Sequence, residues 1–294
     1  MWKGHGMNPP QIIAEIGGNH KGDLEVAKEM VFVAAKFCKV DVVKFQKRYP
    51  KELLTPEQYE APHPNPVHAY GATYGEHREY LEFDAEEHAE LKRAAEDAGI
   101  TYSTSVWDMR SAHEIVDLAP EIIKVPSATN LHYDLLDFLA REFNGEIHIS
   151  LGMTSRREED EIVAFFEERD RLRDVVLYSC TSGYPVAFED LGLMEITRLV
   201  ENYGGRIRAI GFSGHHKGIA ADIAAMTLGA SWIERHFTLD RTWKGTDHAA
   251  SLEPGGMRRL VRDTRSVASA LTYKESEILE VEQVQREKLK WEPK

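Results

Sequence analysis

Short apolar runs alternate with longer amphipathic stretches along nearly the whole chain. The runs are rich in β-branched residues and predict eight strands, at 11–17, 40–46, 100–106, 121–127, 146–152, 174–180, 206–214 and 231–238. Between them, apolar residues recur at three- and four-residue spacing, as on one face of a helix. This alternation is typical of parallel strands joined by crossover helices.

The ends of the predicted helices carry suitable capping residues. Asp23, Asp84 and Ser155 are predicted N-caps, and Gly99 is a predicted C-terminal stop. Eight strand-helix units in about 260 residues predict the α/β class and a (β/α)8 TIM barrel. An open doubly wound sheet is the alternative, but no GxGxxG motif follows the first strand.

We place a single barrel domain at 1–272, with two unusual segments. The longest interruption, at 47–83, is rich in Pro, Tyr and His and predicts either a lid over the site or a dimer contact without catalytic role. Residues 273–294 are polar and charged. We expect them to form an arm that packs on the partner in a homodimer.

Composition narrows the class of protein further. The 294 residues include 36 basic and 49 acidic side chains, a net charge of −13, which argues against nucleic-acid binding. An anionic ligand would need local positive charge. We find no signal-peptide or membrane-spanning apolar run, and the two cysteines, Cys38 and Cys180, lie outside any CxxC pattern. These features predict a cytoplasmic protein with no membrane partner.

Two histidines lie at the ends of the last two predicted strands. His215 follows strand seven and His236 ends strand eight, which would bring both imidazoles to one mouth of a barrel. Such a pair suits a divalent metal, and Asp247 downstream could assist. The alternatives are a polar core role for His236 and a turn role for Asp247.

The other strand ends are also polar. Lys44 and Lys124 lie within apolar strands, where each needs a carboxylate partner such as Glu15 or an anionic ligand. Hydroxyl groups follow at several strand ends, including the Ser103 to Ser105 run. Lysines surrounded by hydroxyls favour recognition of a phosphate or carboxylate. Tyr184 precedes a proline and could form a ligand wall or pack in the core.

Together these strand ends resemble the sialic acid synthase (N-acetylneuraminate synthase) family of phosphoenolpyruvate-condensing enzymes. The matching motifs are AEIGGNHKGDLEVAKEM, VDVVKFQ, YSTS, KVPS, ISLGM, SCTSGYP, GFSGHH and GASWIERHFTLD with KGTDHAASLEP, in order from about residue 11 to 260. The resemblance implies a barrel that binds phosphoenolpyruvate and Mn²⁺ or Mg²⁺. It also implies addition to an aldehyde sugar, giving a 2-keto-3-deoxy sugar acid and phosphate.

The resemblance also implies roles for individual residues. His215 and His236 would bind the metal; Gln46, Tyr184 and Asp247 would face the sugar. The phosphoenolpyruvate cradle would consist of Lys44, Thr104, Lys124, Ser127, Ser150, Ser182 and Ser213.

Two departures from the family leave the acceptor sugar open. Thr129 stands where relatives usually have a carboxylate that contacts the aldehyde. Asp247, Glu15, His216 or a metal-bound water would then handle the proton, or the acceptor differs. We also expect this chain to lack the small antifreeze-like domain that follows the barrel in relatives. The competing functions are a metal-dependent sugar hydrolase or isomerase and a non-catalytic carbohydrate-binding protein.

Overall fold

A computed structural model describes residues 8–291 and contains a closed barrel of eight parallel strands in sequence order. The strands are β1 Gln11–Glu15, β2 Val42–Lys47, β3 Thr101–Val106, β4 Ile122–Val125, β5 Glu146–Ser150, β6 Val175–Cys180, β7 Ala209–Gly214 and β8 Trp232–His236. Each strand pairs with its neighbour, and β1 closes the ring against β8. The predicted (β/α)8 barrel is confirmed.

Helices separate the strands, and most of them cover the outside of the barrel. They are α1 Leu24–Phe32, α2 Pro50–Leu53, α3 Pro56–Glu60, α4 Tyr74–Tyr80, α5 Ala85–Ala98, α6 Met109–Asp117, α7 Tyr133–Glu142, α8 Arg156–Glu167, α9 Met194–Tyr203, α10 Ala220–Thr227, α11 Pro254–Ala270 and α12 Glu280–Leu289. A π-helical segment, Val33–Cys38, continues α1. None of the helices within 8–291 combines the length and apolarity needed to cross a bilayer.

The predicted helix caps are confirmed. The side chains of Asp23, Asp84 and Ser155 accept hydrogen bonds from backbone amides in the first turns of α1, α5 and α8. Gly99 ends α5 with φ of 77°, a left-handed conformation that glycine adopts without a Cβ clash. These local signals position each helix against its strand.

Several strands end two residues earlier than predicted, at the mouth of the barrel. β4 stops at Val125 because Pro126 has no amide proton to donate to the ladder. β1 stops at Glu15, and the chain turns away at Gly17, where φ is 54°. The polar residues after these strands therefore belong to the loops around the mouth.

The two faces of each strand have different environments. Outward side chains pack with the helices into the main hydrophobic core, whereas Ile13, Val42, Ile122 and Val176 fill the amino-terminal end of the barrel interior. Gly211 leaves room there, because a Cβ at this position would lie 2.5 Å from the Tyr178 ring. Above this floor the inward-facing residues are polar, and they form the site described next.

The two unusual segments occupy different places. The 47–83 segment folds into α2, α3 and α4. It contacts the loop after β8, where the Gly245 amide donates a hydrogen bond to His68 Nδ1 at 3.2 Å. The 273–291 segment contains α12, which has no buried residue. Its predicted docking on a partner subunit, and the homodimer itself, stay predictions.

Candidate active site at the barrel mouth

A central cavity of about 570 Å³ opens at the carboxyl ends of the strands, the usual position of the active site in this fold. Its size is typical of small-molecule sites. Nearly all the residues predicted from the sequence line it: Glu15, Lys44, Gln46, Lys124, Ser127, Ser150, Ser182, Tyr184, Ser213, His215, His236 and Asp247.

The remaining two predicted residues, Thr104 and Thr129, lie elsewhere. Side chains alternate along a strand, and Ser105 on β3 faces the cavity, so Thr104 lies on the outer face and is fully buried there. The expectation that Thr104 binds the ligand does not fit this geometry; Ser105 takes the place. Thr129 lines a side pocket of about 230 Å³ that shares a wall with the central cavity.

Both buried lysines have carboxylate partners. Lys44 Nζ forms an ion pair with Glu15 and lies 3.7 Å from Glu234 Oε1, and Lys124 Nζ lies 3.0 Å from Glu234 Oε2. Ser105 Oγ accepts from Lys44 Nζ at 2.9 Å. The sequence left open whether each lysine has a carboxylate partner or faces an anionic ligand. The two are compatible, because the paired lysines also face the cavity.

The two lysines differ in electrostatic environment. Burial disfavours the charge on both, but Glu15 and Glu234 together raise the pKa of Lys44 above its ordinary value. Burial lowers the pKa of Lys124, which has a single carboxylate partner and feels the charge of Lys44. The charges of Lys124 and Lys44 hold the pKa of Glu234 below its ordinary value despite burial. Glu234 thus stays ionised and couples the lysines.

The floor beneath Lys124 is aromatic. Its Nζ lies 3.4 Å from the centroid of the Tyr178 ring, a cation–π contact, and the Tyr178 hydroxyl lies 2.8 Å from His148 Nδ1. Burial lowers the pKa of His148 to about 4, so its imidazole is neutral near pH 7. This packing holds the ammonium group at a defined height in the barrel.

His215 and His236 lie side by side, with ring centroids 5.4 Å apart. His215 Nδ1 lies 3.1 Å from the Thr181 carbonyl oxygen, which leaves Nε2 as the nitrogen that could bind a ligand. His236 Nδ1 is buried and has no hydrogen-bond partner among residues 8–291. Burial and then the nearby His236 lower the pKa of His215 to about 3, so its imidazole is neutral.

The adjacent imidazoles of His215 and His236 fit a divalent metal. No cluster of three or more His, Cys, Asp and Glu suited to a metal occurs between residues 8 and 291, so the protein would supply two nitrogen ligands. Water and substrate oxygens would complete the shell, as is common for Mg²⁺ and similar hard cations. The unpartnered Nδ1 of His236 is the observation that supports this fit.

Tyr184 and Asp247 border the histidine pair. The Tyr184 ring centroid lies 4.3 Å from that of His215, and the ring is more than half exposed. Asp247 receives a hydrogen bond from Thr246 Oγ1 at 3.0 Å and does not cap the following turn. Burial would raise the pKa of Asp247, but the nearby His236 and the charge of Arg78 lower it below its ordinary value, so this carboxylate is ionised.

Residues from the 47–83 segment form one wall of the cavity, and sequence reasoning missed them individually. Arg48, His63, Tyr74, His77 and Arg78 all line it. The segment as a whole was predicted to be either a lid or a dimer contact, and nothing in the strand pattern points to its individual cationic residues. Their positions depend on how α2, α3 and α4 pack.

Sequence reasoning also missed Glu234. Strand alternation could have found it, because residues two apart share a face and His236 had been assigned to the mouth. His216, a proposed alternative proton carrier, lies outside the cavity lining: its Nε2 is 3.3 Å from Asp222 Oδ2 and 3.1 Å from Arg235. It belongs to a separate buried cluster.

Comparison with known proteins gives relatives that cover almost the whole chain. The human N-acetylneuraminate-9-phosphate synthase is 38% identical over 98% of this chain and 78% of its own length. The N,N'-diacetyllegionaminic acid synthase of Campylobacter jejuni is 33% identical, over 90% of this chain and 78% of its own length.

Solved structures agree. The crystal structure of N-acetylneuraminic acid (sialic acid) synthetase from Leptospira borgpetersenii, in complex with citrate, matches with a TM-score of 0.80 and 29% identity. The match covers 96% of this chain and 91% of that one. The model of the NeuB family matches residues 30–276. The chain belongs to the NeuB family.

Proposed function

We propose that this protein condenses phosphoenolpyruvate with the aldehyde of an open-chain amino sugar, giving a 2-keto-3-deoxy sugar acid and inorganic phosphate. The observation that carries the proposal is one cavity in which two buried lysines lie near the imidazole pair of His215 and His236. The relatives named as synthases of N-acetylneuraminate 9-phosphate and diacetyllegionaminic acid support the same class of reaction.

Lys44 and Lys124 would bind the phosphate and carboxylate of phosphoenolpyruvate. Their carboxylate partners favour the charged form of each lysine against burial and hold both lysines in fixed positions. The hydroxyls of Ser105, Ser127 and Ser213 add uncharged donors around them. An ordered set of donors of this kind needs little rearrangement as charge shifts during the reaction.

The charge balance of the cavity favours an added cation. Its lining contains four cationic side chains, Lys44, Arg48, Arg78 and Lys124, against the carboxylates Glu15, Glu234 and Asp247. Arg48 is further neutralised by Glu82. A highly charged anion therefore needs more positive charge, and His215 and His236 would hold Mn²⁺ or Mg²⁺. When bound, such a metal polarises a carbonyl oxygen as a Lewis acid.

The reaction balances with water as the third reactant. C3 of phosphoenolpyruvate forms the carbon–carbon bond to the aldehyde carbon, water adds to C2, and the bond from C2 to the phosphate oxygen breaks. The aldehyde oxygen gains a proton as it becomes a hydroxyl. Asp247, already ionised, would accept hydrogen bonds from sugar hydroxyls. Glu15 and Gln46 would orient the end of the sugar that lies nearer Lys44.

The proposal is tested by phosphate release from phosphoenolpyruvate in the presence of Mn²⁺, against aldoses, N-acetylhexosamines and their phosphates. Release that needs both substrates and is abolished by a chelator supports condensation. Phosphoenolpyruvate binding without turnover for any acceptor would favour a binding protein. Turnover of a sugar without phosphoenolpyruvate would favour a hydrolase or isomerase and would overturn the proposal.

A further inference from the structure

The side pocket next to the central cavity has two arginines in its wall. Arg48 and Arg78 line both spaces, together with Tyr74, Trp107 and Ala128. Arg48 has an ion-pair partner, Glu82, and stacks over the Trp107 ring at 5.2 Å. Arg78 donates to the Tyr74 hydroxyl from Nε at 3.0 Å and from a terminal nitrogen at 2.6 Å.

Arg78 has no carboxylate within ion-pair distance among residues 8–291. Burial, and then the like charge of Arg48, lower the pKa of this guanidinium, although an arginine stays charged. Arg48 and Arg78 carry two positive charges, and Glu82 offsets one of them, so the pair keeps a net positive charge. Placing an anion between them would relieve the repulsion that the fold maintains.

Two residues of the same wall also carry buried donor atoms. Trp107 Nε1 and Thr129 Oγ1 are enclosed and have no hydrogen-bond partner in the described chain. Thr129 occupies the position where the family resemblance leads one to expect a carboxylate. The resemblance places that carboxylate at the aldehyde, whereas Thr129 lines the side pocket in this structure, where a carboxylate would repel an anion. The remaining wall is apolar, from Pro50, Leu53 and Leu54, so water does not fully screen the arginines.

The pocket lies within reach of the acceptor site. The charges of Arg78 and Arg48 both act on Asp247, which borders the histidine pair where the aldehyde would lie. In the proposed reaction phosphoenolpyruvate occupies Lys44 and Lys124, so a second anionic group on the acceptor needs other cations. A sugar with its aldehyde at the histidines would direct its far end toward the arginines.

We propose that the acceptor carries a phosphate at the end remote from its aldehyde and that Arg78, with Arg48, binds this phosphate in the side pocket. The inference rests on the proposed function and deepens it by naming the substrate class. Condensation adds three carbons to the aldehyde end, so a phosphate on carbon six of a hexosamine would appear on carbon nine of the product. The human relative is named for a 9-phosphate product.

The test compares kcat/KM for N-acetylhexosamines and their 6-phosphates in the wild type, Arg78→Gln, Arg78→Lys and a control, Arg157→Gln. Arg157 is an exposed arginine on α8 outside both cavities. We expect Arg78→Gln to lower kcat/KM for the 6-phosphate about 10- to 100-fold, because it removes a charge-assisted contact. The unphosphorylated sugar and the KM for phosphoenolpyruvate should change less than about threefold.

Arg78→Lys should restore part of the preference, since it keeps the charge without the guanidinium geometry. Equal kcat/KM for the phosphorylated and unphosphorylated sugars in the wild type would overturn the inference while leaving the condensation intact. A raised KM for phosphoenolpyruvate in Arg78→Gln would also overturn it, because the arginine would then bind the other substrate. If no acceptor turns over, the proposed function fails. In that case, calorimetry of the same sugar pairs binding to the wild type and to Arg78→Gln tests the inference separately.

Discussion

The barrel interior and the 47–83 wall both contribute cations to one cavity, but they hold them differently. On the strands, Lys44 and Lys124 are enclosed and matched by Glu15 and Glu234. In the wall, Arg78 is partly exposed and is held by the Tyr74 hydroxyl, with no carboxylate at ion-pair distance in the part of the chain that the structure describes. Strand positions suit groups that need the same geometry in every reaction cycle, whereas a loop wall can vary with the substrate.

This difference separates two tasks. The strand-borne network would serve the step common to all phosphoenolpyruvate condensations, and its removal should harm both folding and turnover. The wall would select the acceptor, so changes there should alter substrate preference and leave the barrel intact. The predictions below examine this division, from the largest expected effect to the smallest.

Glu234→Ala should have the largest effect. It leaves Lys44 with Glu15 alone and Lys124 without a carboxylate partner among the described residues, and breaking a buried ion pair typically costs about 3–5 kcal/mol. We expect the free energy of unfolding in urea to fall by that amount and phosphate release to be lost. Glu234→Gln, which keeps the shape and one hydrogen bond, should lose less stability. Unchanged stability in Glu234→Ala would mean that the interior charges are independent.

His236→Ala should separate activity from stability. If His236 binds the metal, its loss should lower metal-dependent phosphate release by about 1,000-fold, several kcal/mol of catalysis. The melting temperature without added metal should change little, because His236 Nδ1 has no hydrogen-bond partner to lose. Retention of full metal-stimulated activity would show that the metal assignment is wrong.

His148 should make the interior sensitive to acid. Its pKa in the folded protein is about 4, below the ordinary value of 6.5, so its stabilising contribution is present above pH 6.5 and is lost as the pH falls toward 4. At pH 5 this loss amounts to about 2 kcal/mol relative to pH 7. In His148→Gln, urea unfolding at the two pH values should differ by correspondingly less. An unchanged pH dependence would place the acid sensitivity elsewhere.

Thr129→Glu should have the smallest effect and should be confined to the wall. A carboxylate in the side pocket would pair with Arg78 or Arg48 and repel a bound phosphate. We expect kcat/KM for a phosphorylated acceptor to fall about 10-fold, corresponding to about 1.4 kcal/mol, with little change for the unphosphorylated sugar. Thr129→Gln is the neutral control of equal size. An equal loss in both variants would indicate a steric effect.

The two regions also differ in how far the sequence predicted them. Strand periodicity placed Lys44, Lys124 and His236 at the mouth, and the structure brings them to one cavity. The same alternation, applied strictly, would have chosen Ser105 over Thr104 and would have added Glu234. The wall was not accessible to this reasoning, because Arg48 and Arg78 follow no period and reach the cavity only through the packing of short helices.

The sequence by itself determined the barrel, its helix caps and the set of polar strand ends, because each follows from local periodicity and from side chains that cap their own helices. Only the tertiary structure decided the charge pairing. Glu234 meets Lys44 and Lys124 across the barrel from positions 190 and 110 residues away in sequence, and Arg78 comes to share a pocket with Thr129. Such contacts depend on closure of the ring and on loop packing, which no local pattern records.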